Sequence, residues 1–268
     1  MRWCSFTTPS GGPARLGAVA AWDDSGKVLD VGAWARSRDA ETPADLVDLV
    51  MSSTATQERV TEMVQSAPAD GLGWIRKEEV RILAPLREPN SIRSLTPVPE
   101  ERVPTHAQLN RRAVAGTGED IVWPSYTEQL DYSAGVGAVV GRRGRNITSL
   151  QAQDHVFGYV LAVRWAAGDV GRDYLTSLGP WVVSPDEWEP QQAQQISITL
   201  DGNPTQPGTP ESRRWSFEQV LSWASQDADL WPTDLVLGCG ERVSVQPGTE
   251  LGVSVLGLGA LHHLVVRP

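Results

Sequence analysis

From Val136 to the C-terminus the sequence is a succession of short apolar runs, at residues 136–141, 156–165, 181–184, 196–200, 235–237 and 251–266. Each is rich in Val, Ile and Leu, and each is bounded by Gly, Pro, Asp or Ser. Branched side chains suit a pleated, half-buried surface, and the bounding residues make turns. Runs this short and this frequent point to a domain built from sheet. Residues 130–183 hold the longest of them. One helix is expected among the strands, at residues 215–226 (WSFEQVLSWASQ). There Phe217, Val220, Leu221 and Ala224 recur at helical spacing, and Ser216 can cap the start.

The first third reads differently. Residues 16–22 and 27–31 have strand composition on either side of the turn residues Asp23-Asp24-Ser25-Gly26. Residues 43–51 (PADLVDLVM) and 56–67 (TQERVTEMVQSA) carry apolar residues at helical spacing, with Pro43 suited to a first helical position. Residues 1–79 are expected to form a small α+β domain ahead of a mostly-β domain at 80–268. Residues 80–86 (VRILAPL) are a strand candidate. Residues 87–105 contain Pro89, Pro97, Pro99 and Pro104 and read as loop, because proline removes ladder donors.

With 268 residues and 40% hydrophobic composition, the chain can bury a sizeable core. Its net charge is −10 and no Lys/Arg cluster appears, which argues against a nucleic-acid partner. Cys4 and Cys239 are its two cysteines, too few for a disulfide framework and wrongly spaced for zinc. They fit a reducing, cytoplasmic setting. No signal-peptide core and no 18-residue apolar window are seen, so no membrane span is expected. Most of the 11 tryptophans, Trp181 and Trp223 among them, read as core.

Nine segments, in order, carry a family likeness: RILAPLREPNSI, GTGEDIVWP, EQLDY, VVGRRGRNI, DHVFGYVLA, SLGPWVVSPDEW, LDGNPTQPGTP, WPTDLVLGCG and QPGTELGVSVLGLGALHHLVV. As an ordered set across residues 80–266 they resemble the fumarylacetoacetate hydrolase family, which includes 2-oxo acid hydratases, decarboxylases and acylpyruvate hydrolases. The resemblance implies a mixed-sheet pseudo-barrel behind a small leading domain, one active site at its mouth, and usually a homodimer. It also implies a divalent metal. The ligands are two glutamates of an Asp-Tyr-Glu-x-Glu motif and the aspartate of a later Asn-Asp pair, hard oxygen donors that let the cation polarise a 1,3-diketone or 2-oxo acid.

The motif here is Asp131-Tyr132-Ser133-Ala134-Gly135, without either glutamate. Counting from Gly158-Tyr159, the Asn-Asp pair falls on Val163-Arg164. A second register, through Gly168-Asp169-Val170, puts Asp169 in the ligand role. The family's lysine falls on Val170, an aspartate on Asp173, and the threonine of its Gly-Thr-Pro turn on Cys239. The histidine-bearing loop is shortened, leaving His106 as a remnant.

Arg164 lies in an otherwise apolar strand, so it needs a partner: Asp131, Asp169, Asp173 or an anionic ligand. Arg164, Ser133 and His106 are the candidate catalytic residues. Tyr132, Tyr159, Trp165, Asp169 and Cys239 are the candidates for lining a substrate pocket. Each has a structural alternative: an ion pair for Arg164, small pocket or turn residues for Ser133 and Cys239, core packing for the aromatics. Tyr132 and Ser133 must face opposite ways in a strand, so one of them at most can line the pocket. No metal and no cofactor are expected, and a small molecule is the expected partner. The reading is a metal-independent cyclase, isomerase or lyase for a β-dicarbonyl or enol-containing intermediate of a specialised biosynthetic pathway. A catalytically inactive binding or partner subunit is the first alternative, and a C–C hydrolase of 1,3-dicarbonyl compounds the second.

Overall fold

The structure, a computed structural model, describes residues 1–19, 26–68, 71–95, 104, 106–190, 196–205 and 215–268. The turn expected at residues 23–25, Pro97 and Pro99, and the end of the LDGNPTQPGTP segment lie outside these. The chain opens with four strands paired antiparallel in order: β1 (Arg2–Thr7), β2 (Arg15–Val19), β3 (Lys27–Asp30) and β4 (Trp74–Arg76). Between β3 and β4 come α1 (Val31–Arg36), α2 (Leu46–Met51) and α3 (Thr54–Gln65). Asp30, Asp45 and Ser53 cap these helices, each accepting a backbone N–H three residues on. The Asp45 cap leaves Pro43 outside α2 rather than at its first position.

Next come β5 (Arg81–Leu83), β6 (Ile92–Leu95), β7 (His106–Leu109), β8 (Val114–Ala115), β9 (Ile121–Val122), β10 (Leu130–Val140), β11 (Gly144–Arg145), β12 (Val156–Ala167) and β13 (Arg172–Val183). The chain finishes with β14 (Ile196–Leu200), β15 (Asn203–Pro204), α4 (Phe217–Ala224), β16 (Asp229–Leu230), β17 (Leu235–Cys239), β18 (Val243–Val245), β19 (Glu250–Val255) and β20 (Gly259–Val266). The main sheet runs β4-β3-β2-β1-β13-β12-β10-β17-β6-β7, with β5, β8 and β18 attached. A second sheet runs β15-β14-β19-β20-β9. Parallel pairs (β17–β6, β13–β8, β20–β9) interrupt the antiparallel ones, so the sheets are mixed. The end strands β4 and β7 are not paired with each other, so the main sheet is not a closed barrel. The fold is mostly β with few helices, as the punctuation of the sequence dictates.

Three elements differ from expectation. β6 lies inside the proline-rich stretch read as loop, and it pairs in parallel with β17. β10 begins at Leu130, six residues before the expected start. β13 begins at Arg172, and the Gly-Pro-Trp sequence is a bend within it, with a cis Gly179–Pro180 bond. Helix α4 is as expected: Ser216 caps it, and Val220 and Leu221 are buried.

The main sheet separates two cores. On one face Ile92, Val139, Val160, Ala162, Leu178, Val182 and Leu237 pack with Trp3 and with Trp34, Leu46, Leu49 and Val60 from the helices. On the other, Tyr132, Val136, Tyr159, Leu161, Val163 and Trp165 meet Ile196, Leu251, Val253 and Leu261 of the second sheet. Each large apolar side chain so buried contributes about 1.5–3 kcal/mol.

Candidate active site

Directly opposed residues in paired strands share a face of the sheet, and neighbours along a strand alternate. Ser133 of β10 opposes Arg164 of β12, and Gly135 of β10 opposes Cys239 of β17. Leu237, two residues before Cys239, opposes Ser94 of β6. Thr176 of β13 opposes Arg164 from the other side. Five adjacent strands thus bring Ser94, Ser133, Arg164, Thr176 and Cys239 to one face, at the polar end of an apolar core. The cluster is closely packed: Ser94 is 0%, Ser133 3%, Cys239 3% and Arg164 9% exposed. Ser94 and Thr176 had no signal in the sequence: Ser94 lies in the stretch read as loop, and Thr176 ahead of the apolar run at 181–184. Only the parallel β6–β17 pairing brings Ser94 in.

Asp173 supplies the counter-ion. Arg164 Nε donates to Asp173 Oδ1 at 2.7 Å, and Nη2 donates to the same oxygen. Arg164 Nη1 lies 3.5 Å from Ser94 Oγ. Asp173 reaches this face because the β12–β13 register slips between Trp165 and Ala166. Leu175 opposes Trp165, but Asp173, not Tyr174, opposes Ala166. One extra residue in β13 therefore turns the Asp173 side chain toward Arg164. The other two carboxylates considered for Arg164 are engaged elsewhere. Asp131 accepts Ser244 Oγ at 2.6 Å and Gln129 Nε2 at 3.1 Å. Asp169 is exposed and accepts the Thr127 hydroxyl and, at 2.9 Å, the Glu128 N–H. Those bonds, the Thr127 hydroxyl first, hold its carboxyl below the ordinary aspartate range.

The Ser133 and Ser94 hydroxyls and Arg164 favour the charged form of the Cys239 thiol. Burial outweighs them and pushes its pKa up to about 11. It is a neutral wall of the site at physiological pH, and no thiolate nucleophile.

The remaining sequence candidates are not brought to this face. Tyr132, Tyr159 and Trp165 alternate with the cluster residues and point into the opposite core. Trp165 is fully buried, with its indole N–H on Ser177 Oγ at 2.9 Å. Burial raises the hydroxyl pKa of both tyrosines, so both stay protonated. His106 opposes Leu95, next to Ser94, and so faces away from Ser94. Burial and, second, the Arg93 charge lower its pKa. Trp223, read as core, is 37% exposed.

The fold family implies a divalent cation, and the residues here do not fit one. By the first register of the resemblance, the three carboxylate positions fall on the Ser133 hydroxyl, on Gly135 with no side chain, and on the Arg164 guanidinium. A Cβ at Gly135 would lie 2.2 Å from the Gly238 carbonyl oxygen and 2.6 Å from Cys239 Cα, so β17 occupies the room a longer side chain needs. Asp173 is paired with Arg164 through Oδ1. A hard dication would meet a fixed positive charge in place of oxygen donors. Among the described residues no three His, Cys, Asp or Glu side chains converge on a metal position.

Comparison with known proteins agrees with this architecture. The sequence model described as fumarylacetoacetate (FAA) hydrolase C-terminal matches residues 87–266. Oxaloacetate tautomerase FAHD2A, mitochondrial, of Bos taurus is 25% identical over 300 residues, covering 99% of this chain and 92% of that protein. The 2,4-didehydro-3-deoxy-L-rhamnonate hydrolase of Sphingomonas sp. (strain SKA58) is 27% identical over 195 residues, covering 63% of this chain and 67% of its own. Among solved structures, maleylpyruvate hydrolase from Sphingobium sp. SYK-6 has a TM-score of 0.80 at 17% identity, covering 100% of both chains. The fumarylacetoacetate hydrolase of Exiguobacterium antarcticum has a TM-score of 0.79 at 21% identity, again covering 100% of both. The ordered segments, the mixed-sheet fold and the family match over residues 87–266 together establish that this chain belongs to the fumarylacetoacetate hydrolase family.

Proposed function

We propose that the chain is a metal-independent enzyme acting on a β-dicarbonyl or enol-containing small molecule, and that its reaction is an isomerisation between keto and enol forms. The observation that carries this reading is the placement of Arg164. Its guanidinium stands directly across from Ser133, on the face where the family's motif would gather carboxylates. A planar guanidinium can hold a developing enolate oxygen or a carboxylate through two parallel N–H donors. In a nearly dry site, one such fixed donor contributes on the order of 10²–10³ in rate. The hydroxyls of Ser133 and Ser94 and the neutral Cys239 thiol offer short-range polar contacts that orient the ligand. Cyclisation and C–C lysis pass through the same enolate and remain open to this site.

That relatives include oxaloacetate tautomerases and a 2,4-didehydro-3-deoxy-L-rhamnonate hydrolase supports the substrate class. The setting we propose is a cytoplasmic homodimer in a specialised biosynthetic pathway. It rests on the kept framework and the changed ligand positions. An unchanged metabolite profile in a host lacking the gene would contradict it.

A second reading, an inactive binding subunit, is favoured by one observation: the fork of Arg164 is taken by Asp173 and the neighbouring hydroxyls are almost wholly buried. Calorimetric titration with oxalate, a mimic of a 2-oxo acid enolate, in the presence of a chelator separates the readings. The proposed enzyme binds oxalate without metal and loses binding in Arg164→Met. Metal-free oxalate binding with no keto–enol turnover of oxaloacetate would favour the inactive subunit.

A further inference from the structure

We propose that Asp173 is the proton-carrying base of this site, removing the C3 hydrogen of a ligand of the 2-oxo acid class that the family already takes. The inference rests on the reading of Arg164 as the oxyanion holder. Three observations support it. Both donors of Arg164 converge on one oxygen of Asp173, Oδ1, which leaves Oδ2 uncommitted. The Asp173 side chain is 29% exposed while Arg164 is 10%, so the carboxylate stands on the solvent side of the pair, where a ligand arrives. The register slip in β13 exists at this residue and aims it at this face. Bulges of this kind are found where a strand must re-aim a functional side chain.

The step balances without a co-reactant. Asp173 Oδ2 takes a proton from C3, the C–H electron pair becomes the C2=C3 bond, and the carbonyl π pair moves onto the C2 oxygen. The guanidinium of Arg164 holds that negative charge. Asp173 then returns the proton to the oxygen, giving the enol, and is again a carboxylate. The reverse order gives the keto form.

The test uses the chelator-treated full-length protein with oxaloacetate in D₂O, following loss of the C3 proton signal by NMR. Oxalate titrations and thermal unfolding are run on the same samples. Asp173→Asn is expected to slow protein-catalysed exchange by about 10²–10⁴-fold, while oxalate still binds. Asp173→Glu, which keeps a carboxylate, should recover part of the rate. Exchange by a folded Asp173→Asn within about twofold of the parent would overturn the assignment. So would a parent that binds oxalate through Arg164 yet exchanges no C3 proton. If the parent does not bind oxalate and Arg164→Met changes nothing, the underlying reading of Arg164 falls instead. Should Asp173→Asn fail to fold, an inactive but folded Asp173→Glu would also count against the proposal.

Discussion

Neutralising Arg164 and neutralising Asp173 should destabilise the protein by unequal amounts. Asp173→Asn leaves a guanidinium that is 9% exposed, with Ser94 Oγ at 3.5 Å and the weaker Asn carbonyl as its acceptors. Removing one member of a buried pair costs about 3–5 kcal/mol. The remaining amide acceptor returns part of this, for a net loss of about 2–4 kcal/mol. Arg164→Met leaves a carboxylate with a 29% exposed side chain, which water can reach. A half-solvated partner lowers the loss to about 1–2 kcal/mol. The Met chain keeps much of the apolar stem packing. Urea unfolding of the two single variants and of the double variant gives both losses and their coupling, expected at about 1–3 kcal/mol. A larger loss for Arg164→Met than for Asp173→Asn would refute the reasoning. A coupling near zero would show that the pair is a contact of no energetic consequence.

Gly135→Ala should destabilise by about 3 kcal/mol or more, the upper range of overpacking, because the new Cβ meets the Gly238 backbone; a chemical-denaturation midpoint near the parent's would contradict the close approach of β10 and β17. His263 is buried, donates to the Glu119 carbonyl, and has its pKa lowered chiefly by burial. Its neutral form is the one the fold favours, so the stability it contributes is full above its ordinary pKa of about 6.5 and is lost as pH falls through the lower folded value. His263→Asn should therefore flatten the acid side of the melting-temperature profile between about pH 7 and 5, and an unchanged profile would count against this. Tyr132→Phe should leave oxalate affinity within about twofold, since Tyr132 faces the opposite core; a tenfold loss would place it in the site.

Local patterning carried much of the architecture. Val156 to Trp165 is apolar apart from Arg164, and β12 spans it and runs two residues further, to Ala167. The helix spacing of Phe217, Val220, Leu221 and Ala224, with Ser216 ahead, left no competing structure. The alternation of Tyr132 and Ser133 was equally legible, since a strand allows nothing else. What could not be read was non-local. Ile92–Leu95 is short and flanked by prolines, and its place in the sheet depends on a parallel partner about 140 residues later. The start of β13 at Arg172 was hidden because Asp173, Tyr174 and Ser177 interrupt its apolar pattern and Gly179-Pro180 resembles a turn. Arg164 announced its need for a counter-ion, and Asp173 was one of three candidates. The choice among them was set by a single register slip, which leaves no mark in composition or periodicity. The same limit explains the placement of Trp165 and His106. Adjacency in sequence to Arg164, or a family remnant, says nothing about which face a side chain takes once pairing is fixed.

The account turns on a guanidinium standing where the family's motif would place a metal. Interconversion of the enol and keto forms of oxaloacetate, followed by ultraviolet absorbance, tests this most directly. Parent and Arg164→Met proteins are compared in excess EDTA and again with added Mg²⁺ or Mn²⁺. The account predicts catalysis that persists in EDTA, gains nothing from either cation, and falls at least about 10²-fold in Arg164→Met. Activity that disappears in EDTA and returns with Mg²⁺ or Mn²⁺, with Arg164→Met equal to the parent, would contradict it.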